Sequence, residues 1–215
     1  QRYSRSHVSE VTTTIFPLAN DELKGKIIGR EGRNIRALER ATGVEFIIDE
    51  APDGVIISSF DPYRREVARL ALEKLVKDGR MQPAKIEEKV EEAKSELAKR
   101  IQEIGDTAAQ DLSIYDLPKE LLQLLGRLQF RTSFGQNVLT HSIEVAYLSE
   151  MMARELGLNA DVAKRGALLH DIGKAIDHEV EGTHIDLGIK ILKKYNVSDA
   201  VIEAMQSHHD DYPYA

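Results

Sequence analysis

Six of the seven histidines of this chain lie between positions 141 and 209: His141, His170, His178, His184, His208 and His209. His170 is followed at once by Asp171, and Gly173-Lys174 come shortly after, in "LLHDIGKAIDHEVEGTH" (168–184). A lone helical histidine is an ordinary structural residue. Six in one stretch, with an adjacent His-Asp pair, have the composition of a metal site. Neutral imidazole and carboxylate are donors for Zn, Mn or Fe, and Mg favours the oxygens. A divalent ion held this way activates water and neutralises oxyanion charge. The alternative is a histidine-rich helical bundle without metal.

A second stretch, "GKIIGREGRNIRALE" (25–39), carries a different chemistry. Gly29 and Gly32 bracket Arg30-Glu31 between two helix-like segments. Glycines let a backbone approach a ligand closely. A helix that starts at such a loop points its N–H groups and positive dipole end at the guest, for which phosphate is the natural choice. Residues 24–40 hold six basic side chains (Lys24, Lys26, Arg30, Arg33, Arg36 and Arg40) against two acidic ones. This is an anion-attracting patch within a chain of net charge -7. Glu31 is the dissenting residue: an acid in the loop that Lys26, Arg30 and Arg33 must outweigh.

The elements that position these residues follow from pattern. "HVSEVTTTIFPL" (7–18) is β-branched and reads as a strand. Residues 21–43 read as helix, glycine turn, helix, with Gly43 as the stop. Residues 44–50 and 54–60 are strands joined by the turn sequence "APDG". Asp61 caps a helix with Pro62 at its first position, running to Gly79. The order is β-α-α-β-β-α, a small sheet with helices on one face. Ile27, Ile28, Ile35 and Leu38 are expected to face Val44, Phe46, Ile48, Val55 and Ile57. From Lys85 to about Asp111 the chain is charged and helical. Ile86, Val90, Ala93, Leu97, Ile101, Ile104 and Ala108 form one stripe at spacings of three and four. An interdomain helix lying on one neighbour is favoured over a dimer contact. Helices are expected near 118–130, 136–156, 159–170, 183–195 and 198–209, with Asn159, Thr183 and Ser198 as N-caps. His141 then comes from mid-helix, His170-Asp171 from a helix end, His184 from a helix start and His208-His209 from the last helix. Three segments result: residues 1–80 (α+β), a charged linker helix over 81–111, and an all-α domain over 112–215.

Composition narrows the classes further. Hydrophobic content is 42% and charged content 30%, the balance of a soluble globular protein. There is no cysteine, so disulfides and thiolate metal sites are excluded, and a reducing cytosol suits the chain. No run approaches the roughly 18 apolar residues of a membrane span, so no membrane contact is expected. Residues 1–80 carry 14 basic against 13 acidic side chains and the remainder 15 against 23. The chain starts at Gln1 and stops at "SHHDDYPYA", which reads as a piece of something longer.

Placed between helices in this element order, preceded by "KII" and followed by "NI", the glycine loop resembles the KH domain (type I). The KH loop clamps about four nucleotides of single-stranded backbone. The resemblance implies RNA contacts by Lys26, Ile28, Gly29, Arg30, Glu31, Gly32, Arg33 and Arg36. Phe46 is the one aromatic on the strand that would face bases, so stacking there is minor. "THSIEVA", "LLHDIGKA" and "SHH" resemble in order and spacing the HD phosphohydrolase superfamily. That resemblance implies His141, His170 and Asp171 as ligands of a first metal. Asp171 would bridge to a second ion held by His184 with His208 or His209, and Lys174 would contact the scissile phosphate. His178 has no clear role. The distant Asp that completes the family pattern is missing, since Asp210 and Asp211 follow His209 too closely. KH followed by HD, and strings such as "GRLQFRTSFGQNVLTHS", resemble the ribonuclease Y family along residues 1–209. This implies a metal-dependent endoribonuclease (Mn, Mg, Zn or Fe) that initiates mRNA decay on single-stranded RNA. It further implies a homodimer working with other RNA-decay proteins at the cytoplasmic face of the membrane. A membrane anchor and coiled coil would precede this piece, and more HD domain would follow it. The piece itself would be soluble and cytoplasmic. Two alternatives stand beside it: a non-catalytic RNA-binding or dimerisation scaffold, and a nucleotide or cyclic-dinucleotide phosphodiesterase regulated by the KH domain.

Overall fold

The computed structural model describes residues 12–48 and 54–209. They divide into two compact units, 12–99 and 100–209, and the division falls inside one long helix.

In the first unit, strands β1 (Thr13–Pro17), β2 (Glu45–Ile47) and β3 (Gly54–Ser58) form an antiparallel sheet in the order β1-β3-β2. Phe16 stands opposite Val55, and both Thr14 and Phe46 stand opposite Ile57. Because side chains alternate along a strand, this register gathers Phe16, Phe46, Val55 and Ile57 into the core, each at most 9% exposed. Helices α1 (Asp21–Ile28), α2 (Arg33–Thr42) and α3 (Pro62–Asp78) complete the unit. α3 packs on β1 and β3, and α2 packs on β2. The β-α-α-β-β-α order is as expected. The first strand occupies 13–17 of the expected 7–18; its start, and the turn at 51–53, lie outside the described residues. Asp61 caps α3 by accepting from the Tyr63 and Arg64 N–H groups, and Gly43 and Gly79 end α2 and α3 in left-handed conformations.

Two expectations about facing are corrected. Ile27 is fully buried, but Ile28 is 37% exposed and does not lie on the sheet. Phe46 points inward, since its place in the two-residue period matches that of the core positions; it cannot stack on a base.

Helix α4 (Pro83–Asp111) carries the predicted stripe. Ile86, Val90, Ala93, Leu97, Ile101 and Ala108 are all buried. The chain itself therefore covers the stripe, with Ile104 only partly buried, but the stripe is shared between the two units and does not lie on one neighbour as expected. Lys74 of α3 pairs with Glu96 of α4 at 2.6 Å.

The second unit continues from α4 into α5 (Lys119–Arg127), a tight turn over Leu128–Phe130, and a hairpin of β4 (Thr132–Ser133) and β5 (Gln136–Asn137). Then follow α6 (Val138–Glu155), α7 (Ala160–Leu169), a single 3-10 turn (Ile172–Ala175), α8 (His184–Lys194) and α9 (Asp199–Gln206). All five expected helices are present. The hairpin was not foreseen, because strands of two residues are too short to show a period. α9 stops at Gln206, short of the expected 209. Asn137, Asn159 and Thr183 cap their helices through side-chain oxygens, whereas Ser198 occupies the cap position without a side-chain bond. Leu121, Leu125, Leu128, Leu168, Leu192 and Met205 anchor the core, each fully buried.

α4 and α5 meet backbone to backbone. A Cβ added at Gly126 would lie 2.0 Å from the Ile101 carbonyl oxygen, and one at Gly105 would lie 1.9 Å from that of Leu122. No rotamer change relieves a clash with backbone. Gly126→Ala is therefore expected to destabilise the second unit by about 1–3 kcal/mol or more, read as a lowered urea midpoint at unchanged slope.

Candidate metal centre and nucleic-acid loop

The imidazole cluster assembles from four helix ends. His141 lies in the first turn of α6 rather than mid-helix, and His170 caps the C-terminus of α7. Asp171 precedes the 3-10 turn that carries Lys174, and His184 opens α8 under its Thr183 cap. His208 and His209 sit in the turn just past α9, not within it. Helix ends are the positions from which short side chains of several helices can meet at one point. Gly173 makes the approach of α8 possible: a Cβ there would lie 1.9 Å from the His184 carbonyl oxygen.

All six proposed ligands come together. The ligand atoms of His141, His170 and Asp171 lie within 4.8 Å of one another, as do those of His184, His208 and His209. Ring centroids run from His141 to His170 at 5.1 Å, His170 to His208 at 5.1 Å, and His208 to His209 at 4.4 Å. Asp171 is the hinge between the two groups. Its Oδ2 stands 3.4 Å from His170 Nε2, and its Oδ1 stands 3.7 Å from His184 Nε2. Lys174 donates to Asp171 Oδ2 at 2.9 Å. His178 stays outside, beside Asp177 and Glu179.

Protonation matches a cation's needs. The Nδ1 atoms of His170 and His208 each lie 2.6 Å from a backbone carbonyl, of Ala167 and Met205. A carbonyl only accepts, so Nδ1 carries the hydrogen in both rings; Nε2 of His170 then faces the Asp171 carboxylate, and Nε2 of His208 is left with the lone pair when that ring is neutral. Partial desolvation, with the neighbouring His170 and His209 charges, lowers the His208 pKa to about 4 against the carbonyl's opposing pull. Burial and the Lys174 charge also push His184 down. His184 Nε2 is buried without a hydrogen-bond partner among the described residues. Burial pushes the Asp171 carboxyl up, but His170 and Lys174 outweigh it and hold the group well below the usual carboxylate range. Neutral imidazoles with inward lone pairs around an ionised carboxylate fit a divalent metal. Asp210 and Asp211 lie outside the described residues.

The loop of the first unit is built by backbone conformation. Gly29 (φ 70°, ψ 175°) and Gly32 (φ 72°, ψ 18°) flank Glu31, itself left-handed at φ 53°. A Cβ on Gly29 would come within 2.5 Å of the Asn34 side chain. Asn34 is buried and donates from Nδ2 to the Lys26 carbonyl at 2.9 Å, tying the end of α1 to the start of α2. No side chain caps the N-terminus of α2. Lys26, Arg30, Arg33 and Arg36 are exposed around the loop. Lys26 pairs with Glu22 at 2.7 Å, and Arg36 donates to the Glu31 carbonyl at 2.5 Å. The Glu31 side chain points to solvent.

Two residues were missed from sequence. Asn34 was visible as the polar position after the second glycine, but its burial was not. Ser133 lies with its Oγ 3.5 Å from Lys174 Nζ, and it sits on the unforeseen hairpin.

The KH domain family model matches residues 13–74 and the HD domain family model matches residues 138–215. The chain is 59% identical to ribonuclease Y of Symbiobacterium thermophilum and 59% identical to that of Thermoanaerobacter pseudethanolicus, in each case over 98% of its length. It is 57% identical to ribonuclease Y of Alkaliphilus metalliredigens over 99% of its length. It spans 41%, 42% and 45% of these relatives, so less than half the length of the curated proteins it matches. No solved structure matches it. The chain thus matches a KH domain followed by an HD domain and is similar to ribonuclease Y along nearly all of its own residues.

Proposed function

We propose that this chain is the RNA-binding and phosphodiester-cleaving part of a metal-dependent endoribonuclease that acts on single-stranded RNA and initiates mRNA decay. The observation that carries the reading is Asp171, set between two groups of imidazoles with Lys174 at 2.9 Å. His141, His170 and Asp171 would hold one divalent ion, and His184, His208 and His209 a second, with Asp171 shared. Such an ion supplies a Lewis acid that acidifies water and offsets phosphate charge. The chain's own groups do the rest. The Lys174 ammonium binds a non-bridging oxygen of the scissile phosphate and stabilises charge that grows there. The carbonyl bonds of His170 and His208 keep their rings from turning. The Gly29–Gly32 loop and the start of α2 hold neighbouring backbone phosphate, with Lys26, Arg30, Arg33 and Arg36 adding long-range attraction. Hydrolysis joins a water oxygen to phosphorus and breaks the bond to one ribose oxygen, which receives the water's proton. Family resemblance alone supports a dimer working with other RNA-decay proteins at the cytoplasmic face of the membrane. Among the described residues no helix is long and apolar enough to cross one.

Incubating a single-stranded RNA oligonucleotide with the chain and Mn²⁺ tests the reading. Cleavage is expected, and Asp171→Asn should lower it by more than the roughly 10- to 100-fold that a metal's outer partners cost. Lys174→Met should lower it on the order of 100-fold, and RNA binding should survive both changes. Binding without cleavage at any metal concentration would leave a scaffold. Turnover of nucleotides with no effect of Gly29→Asp would leave a small-molecule hydrolase.

At the loop, Arg30→Ala should weaken binding about equally for all sequences and lower the salt slope by about one. Titration of binding at several salt concentrations reads both quantities.

The metal-free protein should also lose stability in acid. An unfolded histidine takes its proton near 6.5 and folded His208 near 4. The unfolded state therefore binds more protons between these values. The stabilisation from neutral His208 is fully present above about pH 6.5 and fades as the pH falls toward about 4. A melting-temperature profile should show that slope, and His208→Gln should flatten it.

A further inference from the structure

Neither the core nor the imidazole cluster explains the residue at the tip of the β4–β5 hairpin. Phe134 is 96% exposed and sits in the left-handed region at φ 51°, next to Gly135 at φ 80°. A bulky residue there is strained, and glycine or asparagine would serve the turn better. Isolated exposed apolar residues are common on protein surfaces, so exposure alone decides nothing. Three further observations do. The hairpin is anchored at its base: Val138 N–H donates to the Arg131 carbonyl at 3.0 Å, Asn137 Nδ2 to the Gln129 carbonyl at 2.6 Å, and Gln136 Nε2 to Glu144 at 3.0 Å. The preceding residue, Ser133, has its hydroxyl 3.5 Å from Lys174 Nζ, the ammonium that itself reaches Asp171. The Phe134 backbone is therefore one peptide step, about 3.8 Å between Cα atoms, from a residue that faces the proposed phosphate site. Finally, Phe46, the aromatic expected to face bases, is buried.

We propose that Phe134 is a stacking platform for a nucleobase beside the scissile phosphate, with the Ser133 hydroxyl and Lys174 holding that phosphate. The inference rests on the phosphodiester-cleaving reading above. Every base has a π-face, so such a platform accepts all sequences. A base inside a duplex already has both faces covered by its neighbours. The hairpin thus selects single strands at the cleavage site itself, independently of the KH loop.

The test walks one 5-iodouridine along a single-stranded RNA oligonucleotide, irradiates it on the whole chain with Mn²⁺ present, and maps the crosslinked peptides by mass spectrometry. A crosslink on Phe134 is expected. Phe134→Ala should then weaken binding of that oligonucleotide on the order of tenfold, and Phe134→Tyr should leave it unchanged. The loss should vanish when the crosslinked position is made abasic. Crosslinks on the hairpin or around Lys174 that avoid Phe134 would overturn the platform and leave the nuclease reading standing. An equal loss on abasic and base-bearing RNA would also overturn it, assigning Phe134 a purely structural role. Crosslinks confined to residues 12–99 would overturn both readings. Because the side chain is exposed, the variants should fold, and an unchanged melting temperature verifies this.

Discussion

A carboxylate that is 3% exposed must either take a proton or be surrounded by groups that keep it charged. Asp171 is kept charged by Lys174 at 2.9 Å and by the His170 ring at 3.4 Å. The rest of the helical unit is arranged around that requirement. α7 must end at His170, the chain must turn tightly through residues 172–175 to bring Lys174 back, and α8 must start with His184 against Gly173. α9 must stop early enough for His208 and His209 to reach the His170 and His184 rings. α7 and α9 end, and α6 and α8 start, where the site needs them; Asn137 and Thr183 cap those starts, and Asn159 caps the far end of α7.

The two units offer phosphate different chemistry. The loop of the first unit presents backbone: two glycines and a left-handed Glu31 open the turn, and an uncapped α2 supplies N–H groups. Backbone donors hold a phosphate without regard to the base it carries, as suits a module that grips RNA of any sequence. The centre of the second unit presents side chains whose protonation is set by their surroundings. Imidazoles held neutral and a carboxylate held ionised are the forms a divalent ion binds. On the proposed reading, one unit positions and the other breaks the bond.

In this partly desolvated pocket burial lowers His184 and His208 but on its own would raise Asp171; His170 and Lys174 keep Asp171 ionised against it, and the Lys174 charge adds to the lowering of His184. Such a pocket is unfavourable for folding by itself and becomes favourable once an anion or cation of matching chemistry is coordinated. Helix packing elsewhere, including the backbone contact of α4 and α5 through Gly105 and Gly126, must hold it together meanwhile.

Local pattern carried much of this from the sequence alone. The β-α-α-β-β-α order, the five helices of the second unit, the covered stripe of α4 and the stops at Gly43 and Gly79 all depend on neighbours three or four residues away, or on one special residue. The residue types of the candidate site were legible for the same reason: His170-Asp171 and the Gly29–Gly32 loop are contiguous. Tertiary structure alone decided facing and convergence. Phe46 turned inward because sheet register assigns its side, and Ile28 outward because α1 buries the neighbouring Ile27 instead. Asp171 came to lie between His170 and His184, and Ser133 came beside Lys174, through contacts between separate elements, one of them a hairpin too short to announce itself. Sequence spacing fixes distances along the chain; the distances that matter for a metal or a phosphate run across it, and only packing sets those.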